Sequence, residues 1–128
     1  MKKWILFTLL IISSTAFAAK FESVSQQQLL VNQMSAEPDV IVDVRSPQEY
    51  AAGHIKGAIN IPFNQLDKYQ QQLQALKDKT LVVYCRSGRR AGIFIDALQP
   101  KGYSLKHLEG DMNGWQAESL PVIREDNK

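Results

Sequence analysis

Two short runs rich in β-branched residues, Val40-Ile41-Val42-Asp43-Val44 and Thr80-Leu81-Val82-Val83-Tyr84, constrain the fold most. Neither alternates apolar with polar positions, so each suits a strand buried on both faces, as inside a parallel sheet. Weaker strand candidates are Phe21 to Val24, Ala58 to Ile61 and Leu105 to Leu108. Helical patterns fall between them. Ser25-x-x-Gln28 reads as a capping box opening a helix from Gln26 to Met34. Phe63, Leu66, Tyr69, Leu73 and Leu76 recur at three- and four-residue steps, and Ala91, Phe94, Ile95 and Leu98 form an apolar face that Pro100 and Gly102 end. Short strands alternating with helices predict a three-layer α/β/α domain with a mainly parallel sheet, in which ligands bind at the carboxyl ends of the strands.

Composition closes off other classes. At 45% hydrophobic and 22% charged, the 128 residues resemble neither a disordered, collagen-like nor coiled-coil chain. A single Cys excludes an internal disulfide and a multi-Cys zinc cluster, and with two distant His it makes no recognisable metal-ligand spacing. The first residues form a charged Met1-Lys2-Lys3, an apolar run from Trp4 to Ile12 and the small-residue pattern Ala16-Phe17-Ala18. This is the signature of a secretory leader over residues 1–18, cut after Ala18, which places one domain over residues 19–128 in the periplasm, with no membrane association after cleavage. Without Lys2 and Lys3 the remaining basic residues balance the 13 acidic ones, so nothing in the net charge favours nucleic acid as a partner. In an oxidising compartment a lone Cys reads as a reagent rather than a staple. Neither a linker nor an internal repeat divides the domain, and a monomer is the default.

The chemistry gathers where the second buried run ends. Tyr84 is followed by Cys85-Arg86-Ser87-Gly88-Arg89-Arg90 and at once by the helical pattern from Ala91, so Cys85 begins a strand-to-helix loop. Gly88 permits a backbone conformation that lets successive N–H groups turn inward, making an anion-binding nest at a helix N-terminus. The same amides, with three Arg in the next five residues, stabilise a negative sulfur. Cys85 is therefore expected to be a nucleophile inside an anion cradle. Arg90, at the loop's end, is expected to turn back under the loop and pair with Asp43.

The chain resembles the single-domain rhodaneses, the thiosulfate sulfurtransferase family, in three segments. Asp43-Val44-Arg45-Ser46-Pro47-Gln48-Glu49-Tyr50, followed by Gly53-His54-Ile55-Lys56-Gly57-Ala58-Ile59-Asn60-Ile61-Pro62, resembles the family's first signature. Cys85 to Arg90 resembles its six-residue active-site loop, and Leu108-Glu109-Gly110-Asp111-Met112-Asn113-Gly114-Trp115 resembles its last signature. Two positions depart from the pattern: Asp111 replaces a usual second glycine, and Ala91 a frequent small hydroxyl residue.

The resemblance implies a five-stranded parallel sheet with helices on both sides and sulfur transfer without a cofactor. Cys85 would take a sulfane sulfur from a small anionic donor such as thiosulfate, carry it as a persulfide, and give it to a thiophilic acceptor: cyanide, a small thiol or a protein thiol. The backbone from Arg86 through Ser87, Gly88, Arg89 and Arg90 would stabilise the persulfide, with the Arg86 and Arg89 side chains on the sulfonate end. Asp43, Arg45 and His54 are expected to support the site, His54 by hydrogen bonds within the Gly53 to Gly57 turn; His107 is expected to be structural or at the surface and Trp115 a core anchor. A phosphatase would need Cys-x5-Arg, whereas this loop is Cys-x4-Arg and makes a smaller cradle. A persulfide carrier or binding module that does not turn over thiosulfate would have the same sequence.

Overall fold

The structure is a computed structural model that describes residues 21–125; the leader expected over residues 1–18 lies outside the described residues. Among the described residues there are seven strands: β1 (Ser23–Val24), β2 (Val40–Asp43), β3 (His54–Ile55), β4 (Ile59–Asn60), β5 (Thr80–Tyr84), β6 (Ser104–Leu108) and β7 (Val122–Ile123). Five helices join them: α1 (Gln26–Gln33), α2 (Pro47–Ala52), α3 (Gln70–Ala75), α4 (Arg89–Leu98) and α5 (Asp111–Ala117). Five strands form one sheet in the order β1-β6-β5-β2-β4, every pairing parallel. β3 and β7 make a separate antiparallel pair, which the sequence patterns do not announce.

The non-alternating runs are central for the expected reason. β5 lies between β6 and β2, and Ile41, Val42, Leu81, Val82 and Val83 are all at most 1% exposed. Side chains of alternating parity divide between two cores. Val42, Leu81 and Val83 join Leu73 and the α4 face of Ala91, Phe94, Ile95 and Leu98, while Ile41, Val82 and Tyr84 join Leu29, Met112 and Trp115. The sheet is thus sandwiched by α3 and α4 on one face and by α1 and α5 on the other.

Local signals set the helix ends. The Ser25 hydroxyl accepts the Gln28 amide at 3.1 Å and the Gln28 side chain returns to the Ser25 amide at 2.9 Å, the reciprocal box read from the sequence. α2 opens the same way, with Ser46, Glu49 and Pro47 at the first helical position. The Phe63 to Leu76 pattern does not form one helix. Leu66–Tyr69 is a 3-10 turn and only Gln70–Ala75 is α-helical, because the repeat there reports packing against the α4-side core rather than a continuous hydrogen-bond ladder. No helix among the described residues is long and apolar enough to cross a membrane.

Candidate active site

β2 and β5 are adjacent and parallel, so their carboxyl ends deliver Asp43 and Tyr84 side by side, with Cys85 one residue further on. Gly88 adopts φ +114° as the N-cap of α4, and this turns its amide onto the sulfur: Gly88 N–H donates to Cys85 Sγ at 3.0 Å. A side chain at that φ would be strained and would also press on the Asp111 carboxylate, 3.2 Å from the position of a Cβ. Cys85 is 1% exposed, at the foot of the loop. Arg86, Ser87 and Arg89 are exposed, and neither arginine forms an ion pair among the described residues. Two exposed arginines without an ion pair among the described residues therefore lie within four residues of Cys85, at the start of a ten-residue helix.

The expected Arg90–Asp43 pair is not formed. Arg90 instead grips Glu49 on α2 in a bidentate pair, Nη1 to Oε1 at 2.6 Å and Nη2 to Oε2 at 3.0 Å. The Arg90 bonds pull the Glu49 carboxyl down to about 2, helped by the Ser46 cap and opposed by burial. Arg90 is raised in turn, first by its bond to Glu49. Asp43 has no capacity left for a third residue. Its carboxylate accepts Arg45 Nη2 at 2.7 Å, Arg45 Nε at 3.0 and 3.1 Å, the Arg45 amide at 2.9 Å and the Tyr84 hydroxyl at 2.7 Å. Burial works against the Arg45 charge, but the bonds and charge of Asp43 outweigh it and its pKa is raised. Burial, then the neighbouring Asp43 charge, holds the Tyr84 hydroxyl protonated far above the ordinary tyrosine range. Arg45 Nη2 also donates to the Gly53 carbonyl at 2.7 Å, and the Tyr84 oxygen accepts the Ile55 amide at 3.1 Å, so this buried network ties β2 and β5 to β3.

His54 is 6% exposed, but its bond runs backward rather than within the Gly53 to Gly57 turn. Nδ1 lies 2.8 Å from the Tyr50 carbonyl, which can only accept, so Nδ1 carries the proton. The ring stacks on Tyr50 at 3.7 Å between centroids, fastening the end of α2 to β3. His107 is half-buried with its Nε2 between the two oxygens of Asp111, at 2.9 and 3.0 Å. Trp115 is 2% exposed and its indole N–H donates to the Pro121 carbonyl at 2.9 Å, as befits a core anchor. Sequence reasoning missed Glu49 as the partner of Arg90 and gave Asp111 no task. The Ser46-x-x-Glu49 box marks Glu49 as a residue with a fixed place, and the departure at Asp111 marks a carboxylate where a turn ordinarily takes glycine.

A cysteine at the carboxyl end of a central parallel strand, with its sulfur on a helix-opening amide and basic side chains at the rim, defines a class of α/β domain built around a thiol in an anion cradle. The Rhodanese-like domain model matches residues 26–118, and the chain belongs to that family. It is 32% identical over 88 residues to a sulfurtransferase of Allochromatium vinosum, covering 68% of this chain and 80% of that protein. It is likewise 32% identical over 83 residues to the thiosulfate sulfurtransferase PspE of Escherichia coli, covering 65% of this chain and 77% of that one. A rhodanese-related protein from Thermoplasma volcanium superposes with a TM-score of 0.70 at 29% identity, covering 80% of this chain and 98% of the other. The chain spans about half the length of two other curated relatives that it matches.

Proposed function

We propose that the protein is a sulfurtransferase that moves a sulfane sulfur from thiosulfate through a persulfide on Cys85 to a thiophilic acceptor. The observation that carries this reading is the Gly88 amide on Cys85 Sγ at 3.0 Å, inside a loop that also carries Arg86 and Arg89, both exposed and without an ion pair among the described residues. The 32% identity to a thiosulfate sulfurtransferase supports the choice of donor.

The Cys85 thiolate attacks the outer sulfur of thiosulfate. A new S–S bond forms, the bond to the sulfonate sulfur breaks, and sulfite leaves with the electron pair. The persulfide then gives its outer sulfur to the acceptor and the thiolate returns; with cyanide the product is thiocyanate. An ionised nucleophile and a good leaving group need no general base, which agrees with the bonds His54 and His107 already make to protein groups. The Gly88 amide stabilises the negative sulfur, and Arg86 and Arg89 hold the sulfonate by charge-assisted hydrogen bonds. The reading places this chemistry in the periplasm after removal of residues 1–18, on the strength of the Lys2-Lys3, apolar run and Ala16-Phe17-Ala18 pattern.

Thiocyanate formation from thiosulfate and cyanide tests the reading. Turnover is expected in the wild type and absent in Cys85→Ala, and Arg86→Ala with Arg89→Ala should raise the half-saturating thiosulfate concentration about tenfold. Equal turnover in Cys85→Ala would refute it. A Cys85 persulfide that forms from another donor and never from thiosulfate would point to a persulfide carrier.

A further inference from the structure

Asp111 is 2% exposed and sits at φ +53°, a left-handed conformation that a non-glycine residue takes only under constraint. It opens α5, and the first turn of that helix closes on the nucleophile. Asp111 Oδ1 accepts the Cys85 N–H at 3.0 Å. The next two amides of α5 complete the grip, Met112 N–H on the Cys85 carbonyl and Asn113 N–H on the Arg86 carbonyl, each at 3.0 Å. Both polar groups of the Cys85 backbone are thus held by one helical turn. The carboxylate is itself held from the far side by His107 Nε2, which faces both oxygens at 2.9 and 3.0 Å and is therefore the donor. Gly88, whose amide meets the sulfur, packs against the same pair: a Cβ there would lie 3.2 Å from Asp111 Oδ2 and 3.5 Å from His107 Cε1.

We propose that Asp111, braced by His107, is a positioning residue for Cys85, fixing the Cys85 peptide so that the sulfur stays on the Gly88 amide. A glycine here adopts positive φ without strain, but it offers no acceptor to the Cys85 amide and nothing for His107 to hold. The carboxylate converts a flexible turn into a fixed support, and a reacting atom held in place needs no reorganisation before attack. The effect falls on the rate at which Cys85 reacts and leaves the affinity for the donor, assigned above to the Arg86 and Arg89 side chains, unchanged. In this form the inference rests on the sulfurtransferase reading, although the support of Cys85 is read by any thiol reagent.

The test compares wild type, Asp111→Gly and Asp111→Asn in three measurements: alkylation of Cys85 by iodoacetamide, single-turnover persulfide formation across thiosulfate concentrations, and thermal melting. Asp111→Gly should slow alkylation and the maximal persulfide rate about five- to tenfold, the scale of one buried hydrogen bond, with the half-saturating thiosulfate concentration within about twofold of wild type. Asp111→Asn keeps an acceptor for the Cys85 amide and should restore both rates to within about twofold. Wild-type rates in Asp111→Gly, or equal slowing in Asp111→Asn, would overturn the proposal. Should Asp111→Gly fail to fold, His107→Asn decides: slowed alkylation upholds the brace and unchanged alkylation removes it. A wild type that takes no sulfur from thiosulfate, with alkylation still slowed in Asp111→Gly, would refute the sulfurtransferase reading and leave the positioning role standing.

Discussion

Asp43 and Glu49 are two carboxylates in one signature segment, and their surroundings give them different work. Asp43 is fully buried and accepts from Arg45 and Tyr84, so Asp43→Ala leaves the Arg45 guanidinium buried without its counter-ion; a loss of about 3–5 kcal/mol is expected from the shift in urea midpoint. Glu49 is about a third exposed and pairs with Arg90 across two helices. Its carboxyl lies at about 2 against an ordinary 4.5, so the pair stabilises the fold fully above pH 4.5 and is lost as pH falls towards 2. Solvent screening keeps that contribution near about 1 kcal/mol. Urea titrations between pH 5 and pH 2.5 should show Glu49→Gln losing less stability with acid than the wild type; parallel losses would contradict the pairing. The charges of this site were legible as residue types, and the partners were not. Arg90 and Asp43 both sit at strand or helix ends next to the loop, and only the bidentate geometry shows that Arg45, two residues from Asp43, had already saturated it.

At the scale of elements, the signals that survive are those written locally. The Ser25-x-x-Gln28 box, the apolar face of α4 and the β-branched runs each describe a segment whose own residues fix its conformation. α5 and the β3–β7 pair are short and draw their stability from contacts distant in sequence, such as the pairing of His54 with Ile123 and the Met112 and Asn113 amides on the Cys85 and Arg86 carbonyls, so no periodicity announces them. The Cys85 loop is of the first kind, since a glycine three residues after the nucleophile and a helix directly behind it specify the turn. Gly88→Ala should therefore cost about 1–3 kcal/mol through backbone strain at φ +114°. The same variant should capture sulfur more slowly, because the amide that meets Cys85 Sγ is displaced. An unchanged melting temperature and an unchanged capture rate would contradict the geometry of the loop.

Across the whole molecule, the parallel order β1-β6-β5-β2-β4 sends the carboxyl ends of all five strands to one edge, and the central pair brings the buried Asp43 network and the Cys85 loop together there. Two cores, one on each face of the sheet, hold that edge rigid from α4 on one side and α5 on the other. Arg86 and Arg89 project from it into solvent, so capture of a dianion should be steered electrostatically. Raising ionic strength from about 0.01 to 0.5 M should slow persulfide formation from thiosulfate several-fold while leaving alkylation by neutral iodoacetamide unchanged. Sulfur transfer through this loop requires a sulfur covalently held by Cys85. Intact mass of the purified protein, before and after thiosulfate, in wild type and in Cys85→Ala, measures it directly. A gain of roughly 32 Da on the wild type alone, discharged by cyanide, is the expected result. No gain on a reduced, alkylatable Cys85, or an equal gain on Cys85→Ala, would contradict it.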